Sequence, residues 1–118
     1  METFKEVTFE AAHKLPNLTE NHPCGRLHGH SFRLRLTVAG GTDTKMGWVQ
    51  DFAEIDKALA PWLEKLDHRY LNDIDGLENP TCENIARWLW GPLKKSLPLL
   101  SEIAVYETPE CGSVYRGE

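Results

Sequence analysis

Residues 28–40 read HGHSFRLRLTVAG, and the alternation is that of a β-strand with one apolar face. Phe32, Leu34, Leu36 and Val38 share one side, while Arg33, Arg35 and Thr37 share the other. His28 and His30 have the parity of the apolar set, so both imidazoles are expected on the buried face. Gly40-Gly41 marks the turn that ends the strand.

Upstream, FKEVTFEAAH (residues 4–13) alternates in the same way and places Val7, Phe9, Ala11 and His13 on one face. Antiparallel pairing of the two strands sets the end of the first beside the start of the second. Three imidazoles then converge at one edge of an apolar surface. A lone buried histidine is ordinarily a hydrogen-bonded core residue, but three unpaired rings are costly to bury together. A metal ion satisfies all three lone pairs at once, which makes His13, His28 and His30 candidate ligands. Three neutral nitrogens suit Zn²⁺ and leave a fourth tetrahedral position open, as in catalytic zinc sites. The competing arrangement is a closed structural site built from the window HPCGRLHGH (residues 22–30), with His22 and Cys24 as further ligands. Proximity alone supports His22, which is expected in a loop.

Farther along the chain, GWVQ (residues 47–50) is read as a short extension. Asp51 as N-cap with Glu54 three residues on opens a helix. Phe52, Ile55, Leu59, Leu63 and Leu66 follow helical spacing, with an interruption or kink expected at Pro61. A polar loop leads to a second helix capped by Thr81, whose stripe is Ile85, Ala86, Leu89 and Leu93, widened by Trp88 and Trp90. EIAVYET and GSVYRG then read as two strands around a turn at residues 109–112. The order ββααββ predicts an α+β fold, an antiparallel sheet with helices on one face.

With 118 residues, 1–118 is expected to be a single domain. A net charge of −5 argues against nucleic acid or an anionic membrane as the main partner. No apolar run approaches the roughly 18 residues of a spanning helix, and the N-terminus lacks a signal pattern, so a cytoplasmic location is expected. Cys24, Cys82 and Cys111 are too few and too scattered for a disulfide framework.

Two further places carry chemistry. Glu107 shares the parity of Ile103 and Val105, so a carboxylate is expected on the inner face, where it needs donor groups. Water at the strand end is the plainer alternative. Asp67-His68 pairs a carboxylate with an imidazole, which general acid–base work uses, although chain neighbours need not touch.

The pieces FEAAHKLP, CGRLHGHSF, WVQDF, LDHRYLND, NPTCENIARWLW and YETPECGSVYRGE, in this order, resemble the 6-pyruvoyltetrahydropterin synthase family. The resemblance spans essentially the whole chain. Within the family, the three residues between Cys24 and HGH are most similar to the bacterial carboxy-forming branch of queuosine and deazapurine biosynthesis. The resemblance implies a tunnelling fold, with a four-stranded antiparallel sheet and two helices per subunit. It also implies a homohexamer, a dimer of trimers, with active sites at subunit interfaces.

It further implies zinc on His13, His28 and His30, Cys24 as the catalytic thiol, and Asp67 and His68 in a proton relay. Glu107 would hold a pterin ring, with Thr81 and Cys82 approaching the same ring, although Cys82 stands where a small hydroxyl residue is common. The implied substrate is 7,8-dihydroneopterin triphosphate, converted to 6-carboxy-5,6,7,8-tetrahydropterin, acetaldehyde and triphosphate. Arg26 lies near enough in sequence to support the Cys24 thiolate, and with Lys14, Arg69 and Arg116 it is a candidate for the triphosphate. The alternatives are formation of the 6-pyruvoyl product by the same fold and a non-catalytic zinc-stabilised binding module. A simple zinc hydrolase leaves Glu107 without a purpose.

Overall fold

The computed structural model describes all of residues 1–118. Strand β1 (Glu2–His13) pairs antiparallel with β2 (His28–Ala39) along its full length. The register sets Phe9 opposite Phe32, Ala11 opposite His30, and His13 opposite His28. Because strand side chains alternate, this one register puts every apolar residue of both strands on the same face. Phe9 and Phe32 are stacked there with ring centroids 4.9 Å apart.

The sheet has five strands in the order β3-β1-β2-β4-β5, one more than the expected four. The extra strand is β3 (Arg69–Tyr70), which lies parallel to β1 at the sheet edge. Two residues are too few to leave a periodic signal. The remaining strands, β4 (Leu100–Thr108) and β5 (Cys111–Tyr115), are antiparallel neighbours. Their turn is tighter than expected, so β5 begins at Cys111. Segment 47–50 forms no strand. The preceding turn is closed by Asp43, whose Oδ1 accepts the N–H groups of Lys45 and Met46.

Helix α1 (Phe52–Leu66) starts where its cap demands, with the Asp51 side chain accepting from the Ala53 N–H at 2.9 Å. It runs through Pro61 without a break, contrary to the expected interruption. Pro61 is exposed, so the carbonyl that loses its N–H partner can turn to water, while Ile55, Leu59 and Leu66 stay fully buried on the other side. Phe52, at the helix start, is exposed rather than part of the stripe. Helix α2 (Cys82–Ser96) contains Pro92 in the same way and buries Ile85, Ala86, Leu89 and Leu93. Its widening tryptophans pack edge-to-face, Trp88 on Trp62 and Trp90 on Tyr115. The helices cover the apolar sheet face, and one core cluster joins them to Phe9, Phe32, Leu34, Leu36 and Val105. No helix is long and apolar enough to cross a membrane.

Candidate active site

The pairing of β1 with β2 delivers three histidines to one corner of the covered face. His13 is buried, and His28 and His30 are half-buried. Their potential ligand atoms lie within 4.8 Å of one another. Two of the three rings have a hydrogen-bond partner for the outer nitrogen. Nδ1 of His13 donates to the Pro80 carbonyl at 2.8 Å, and Nδ1 of His28 donates to the Arg26 carbonyl at 2.6 Å. A carbonyl can only accept, so both rings carry their proton on Nδ1 and keep the Nε2 lone pair free. Nε2 of His13 and of His30 is buried without a hydrogen-bond partner. Buried orphan acceptors on converging rings fit a cation, and the spacing is one that metal–nitrogen bonds of about 2.0–2.1 Å can close after small rotations.

Burial lowers the pKa of His13, opposed by the Pro80 hydrogen bond and reinforced by the two neighbouring rings. Burial also lowers that of His30, against the pull of Glu107. Both shifts favour the neutral, ligand-competent form.

Glu107 comes to the same corner. Its Oε2 stands 3.7 Å from Nε2 of His30 and 4.0 Å from Nε2 of His13. The pairing of β4 with β5 shifts register between Tyr106 and Thr108, so Glu107 is the residue without a ladder partner, a bulge that aims its side chain. A cavity of about 260 Å³ adjoins it, lined by Leu15, Thr81, Cys82, Cys111, Gly112 and Ser113 among others. Thr81 and Cys82 both face this space, and Thr81 Oγ1 also caps α2 by accepting from Asn84 N–H at 3.1 Å. Burial pushes the Cys82 thiol up to about 12, helped by the Glu107 and Glu83 carboxylates. At neutral pH Cys82 is therefore an S–H donor beside Glu107, not a nucleophile.

Asp67 and His68 do touch: Nδ1 of His68 lies 3.0 Å from Oδ2 of Asp67. The dyad clips onto both backbone polar groups of Glu10. Asp67 Oδ1 accepts its N–H at 2.9 Å, and the His68 N–H donates to its carbonyl at 2.6 Å. The Glu10 N–H is the main reason the Asp67 carboxyl is held below its usual range, with His68 second. His68 has φ 59°, the one non-glycine residue of the chain in the left-handed region.

His68 lines a cavity of about 560 Å³ with Glu10, Ala12 and Ser31, whose parity is opposite to that of the three histidines, and with His30 of the cluster itself. Within one chain, then, the dyad is held at Glu10 and shares a cavity with His30, but neither Asp67 nor His68 bonds to a ring of the histidine cluster.

Cys24 stands in a short 3-10 turn, Pro23–Gly25, in the loop between β1 and β2, and is half-buried. It does not join the potential metal ligands, which are the three histidines alone. Arg26, next to it, is exposed and contributes its carbonyl to His28.

Several supporting residues escaped the sequence reading. Asn72 ties the end of β1 by accepting from Lys14 N–H and donating to its carbonyl. Pro80 orients His13, and His22 binds the Cys24 backbone. All act through main-chain hydrogen bonds, which leave no periodicity to detect.

Residues 2–118 match the family described as 6-pyruvoyl tetrahydropterin synthase. The chain belongs to this family. Among its relatives, a 6-carboxy-5,6,7,8-tetrahydropterin synthase of Synechocystis sp. is 44% identical, over 96% of this chain and 89% of that protein. A dihydroneopterin monophosphate aldolase of Pyrococcus furiosus is 38% identical over 90% of this chain and 89% of its own length. The solved 6-pyruvoyl tetrahydropterin synthase of Caenorhabditis elegans superposes with a TM-score of 0.90 at 26% identity, covering 100% of this chain and 96% of that one. The synthase-family fold thus extends over the whole chain, including the five-stranded sheet and both helices.

Proposed function

We propose that the chain is a single-domain lyase that converts 7,8-dihydroneopterin triphosphate to 6-carboxy-5,6,7,8-tetrahydropterin, acetaldehyde and triphosphate. The observation that carries this reading is the corner where three free-nitrogen histidines, an aimed carboxylate and a cavity meet. The identity with the Synechocystis synthase supports the choice of product. His13, His28 and His30 would hold Zn²⁺, which when bound supplies Lewis-acid polarisation of the substrate's side-chain hydroxyls.

Glu107 accepts the two parallel N–H donors of the pterin, its 2-amino group and N3–H, as a fork. Thr81 and Cys82 border the ring, the latter as an S–H donor. Cys24 takes a proton from the substrate side chain, and His68, oriented by Asp67, handles the complementary proton. The ring gains two electrons as the side chain is oxidised and cleaved, with one water consumed overall. No nicotinamide or flavin is needed, in keeping with the lack of a glycine-rich dinucleotide fingerprint.

Because the dyad is held at Glu10, whose parity is opposite to that of the histidine cluster, we take a complete site to draw His68 and Asp67 from another copy. This agrees with the proposed homohexamer with interfacial sites. The product would feed queuosine or a related deazapurine.

The test is direct. Zinc-loaded protein incubated with dihydroneopterin triphosphate is expected to release acetaldehyde stoichiometrically with the carboxy product. A 6-pyruvoyl product without acetaldehyde overturns the assignment. Turnover of the monophosphate alone would favour the activity named for the Pyrococcus relative. A Cys24→Ala variant is expected to stay folded and zinc-loaded but inactive, whereas joint loss of fold and metal would indicate a structural zinc module.

A further inference from the structure

His22 accepts the Cys24 N–H on its ring Nδ1 at 3.0 Å and so caps the 3-10 turn that carries the thiol. Caps of this kind are ordinarily Ser, Thr, Asn or Asp side chains; here an imidazole takes the place, with its own proton necessarily on Nε2. The rest of the turn is tied down independently. The Cys24 carbonyl accepts from Leu15 N–H at 2.9 Å, two residues beyond His13. The Arg26 carbonyl receives the Nδ1–H of His28. Gly25 is buried, and a Cβ there would collide with the Thr19 carbonyl. The turn is thus anchored to the first strand near His13 and to the second strand at His28, and the His22 ring supplies the remaining restraint on Cys24 itself.

We propose that His22 is a positioning residue that holds the Cys24 main chain so that the thiol reaches the reacting side chain of the substrate. The inference rests on Cys24 being the reacting thiol. Removing the cap lets the Cys24 N–H seek water and the half-buried thiol swing outward. Accessibility to a small electrophile then rises while turnover falls, and a parental melting temperature and zinc content separate this from general loosening of the fold, which would produce the same pair.

The experiment compares His22→Ala, His22→Asn and Cys24→Ala in full-length, zinc-loaded protein. Asn places Oδ1 where Nδ1 stands, so it keeps the acceptor. His22→Ala is expected to lower kcat by about 10-fold with KM nearly unchanged, since misplacing a reacting group is costly without altering binding. Its zinc content and melting temperature stay parental, and iodoacetamide labels the Cys24 peptide faster, as read by mass spectrometry. His22→Asn restores kcat and labelling rate.

Parental labelling of Cys24 in His22→Ala refutes the positioning. So does a loss of activity that tracks loss of zinc or of thermal stability, or a failure of Asn to rescue. A Cys24→Ala protein with parental turnover refutes the thiol's role, and with it the functional half of the proposal, separately from the labelling result.

Discussion

The carbonyl of Pro80 accepts the Nδ1–H of His13 at 2.8 Å across 67 residues of chain. One ring of the histidine cluster is thereby locked to the segment that launches α2, the same segment that brings Thr81 and Cys82 to the cavity. Orientation of a ligand ring by such an outer bond raises its basicity and fixes its tautomer. Chelation is therefore expected to abolish turnover, and added Zn²⁺ to restore it. His13→Ala should lose metal to background in elemental analysis. Retained stoichiometric zinc in that variant would sink the three-histidine site.

The metal-free protein should lose stability as pH falls below about 6.5, the ordinary histidine value. Burial first of all depresses His13 and His30, so in that window the unfolded chain binds protons that the folded chain refuses. Stability then rises with pH and is fully present above 6.5. Asp67 is shifted in the same direction, depressed by the Glu10 N–H and then by His68, so its contribution to stability too rises with pH. Its contribution is lost only at lower pH, as the carboxyl is protonated through its folded-state value. Urea midpoints of metal-stripped protein measured between pH 7.5 and roughly 5.5 check the histidine effect; a flat midpoint contradicts it.

The assignment of Asp67 and His68 to the site of another copy gives a complementation test. Cys24→Ala and His68→Ala are each expected to fall by about 10²–10⁴-fold, the usual worth of a general acid or base. Unfolded together at equal amounts and reassembled, they should recover about one quarter of the parental rate, because random assembly pairs two intact halves at that frequency. No recovery would place both groups in one chain's site.

Glu107→Gln replaces one acceptor by a donor facing a donor. The loss of a charged hydrogen bond predicts a fall in kcat/KM of roughly 10- to 100-fold. Zinc content should be unchanged. Measurement with the intact triphosphate substrate separates ring recognition from metal loss.

Cys82 and Cys111 should differ sharply in reactivity. Cys82 is buried with its thiol pushed up to about 12, whereas Cys111 is exposed. Iodoacetamide at about pH 8 should label Cys111 and spare Cys82, since the thiolate is the nucleophile. Early labelling of Cys82 in folded protein would contradict the closed environment assigned to it.

Parity carried most of the site in advance. Val7, Phe9, Ala11 and His13 against Phe32, Leu34 and Leu36 is a period-two pattern, and the observed register follows because a slip of one would bury Arg33 and Arg35. The α1 start was legible in Asp51. Pro61 misled because the rule against proline assumes a helix held by its own hydrogen bonds, whereas this one is held by three buried side chains. Strand β3 was invisible because it exists through one clip onto Glu10, not through pattern. His22 was set aside as a loop residue, and its main-chain bond to Cys24 is a local geometry that letters alone do not display.

The unpaired residue between Tyr106 and Thr108 has one more consequence. The direction of the Glu107 carboxylate is set by a count of residues, not by its own chemistry. Deleting Tyr106 would leave Glu107 in the chain and, by shifting its parity relative to Val105, turn the acid away from the cavity. Ring recognition at this corner is written in chain length, and a reading-frame-preserving loss of one codon there would be as severe for it as replacing the glutamate.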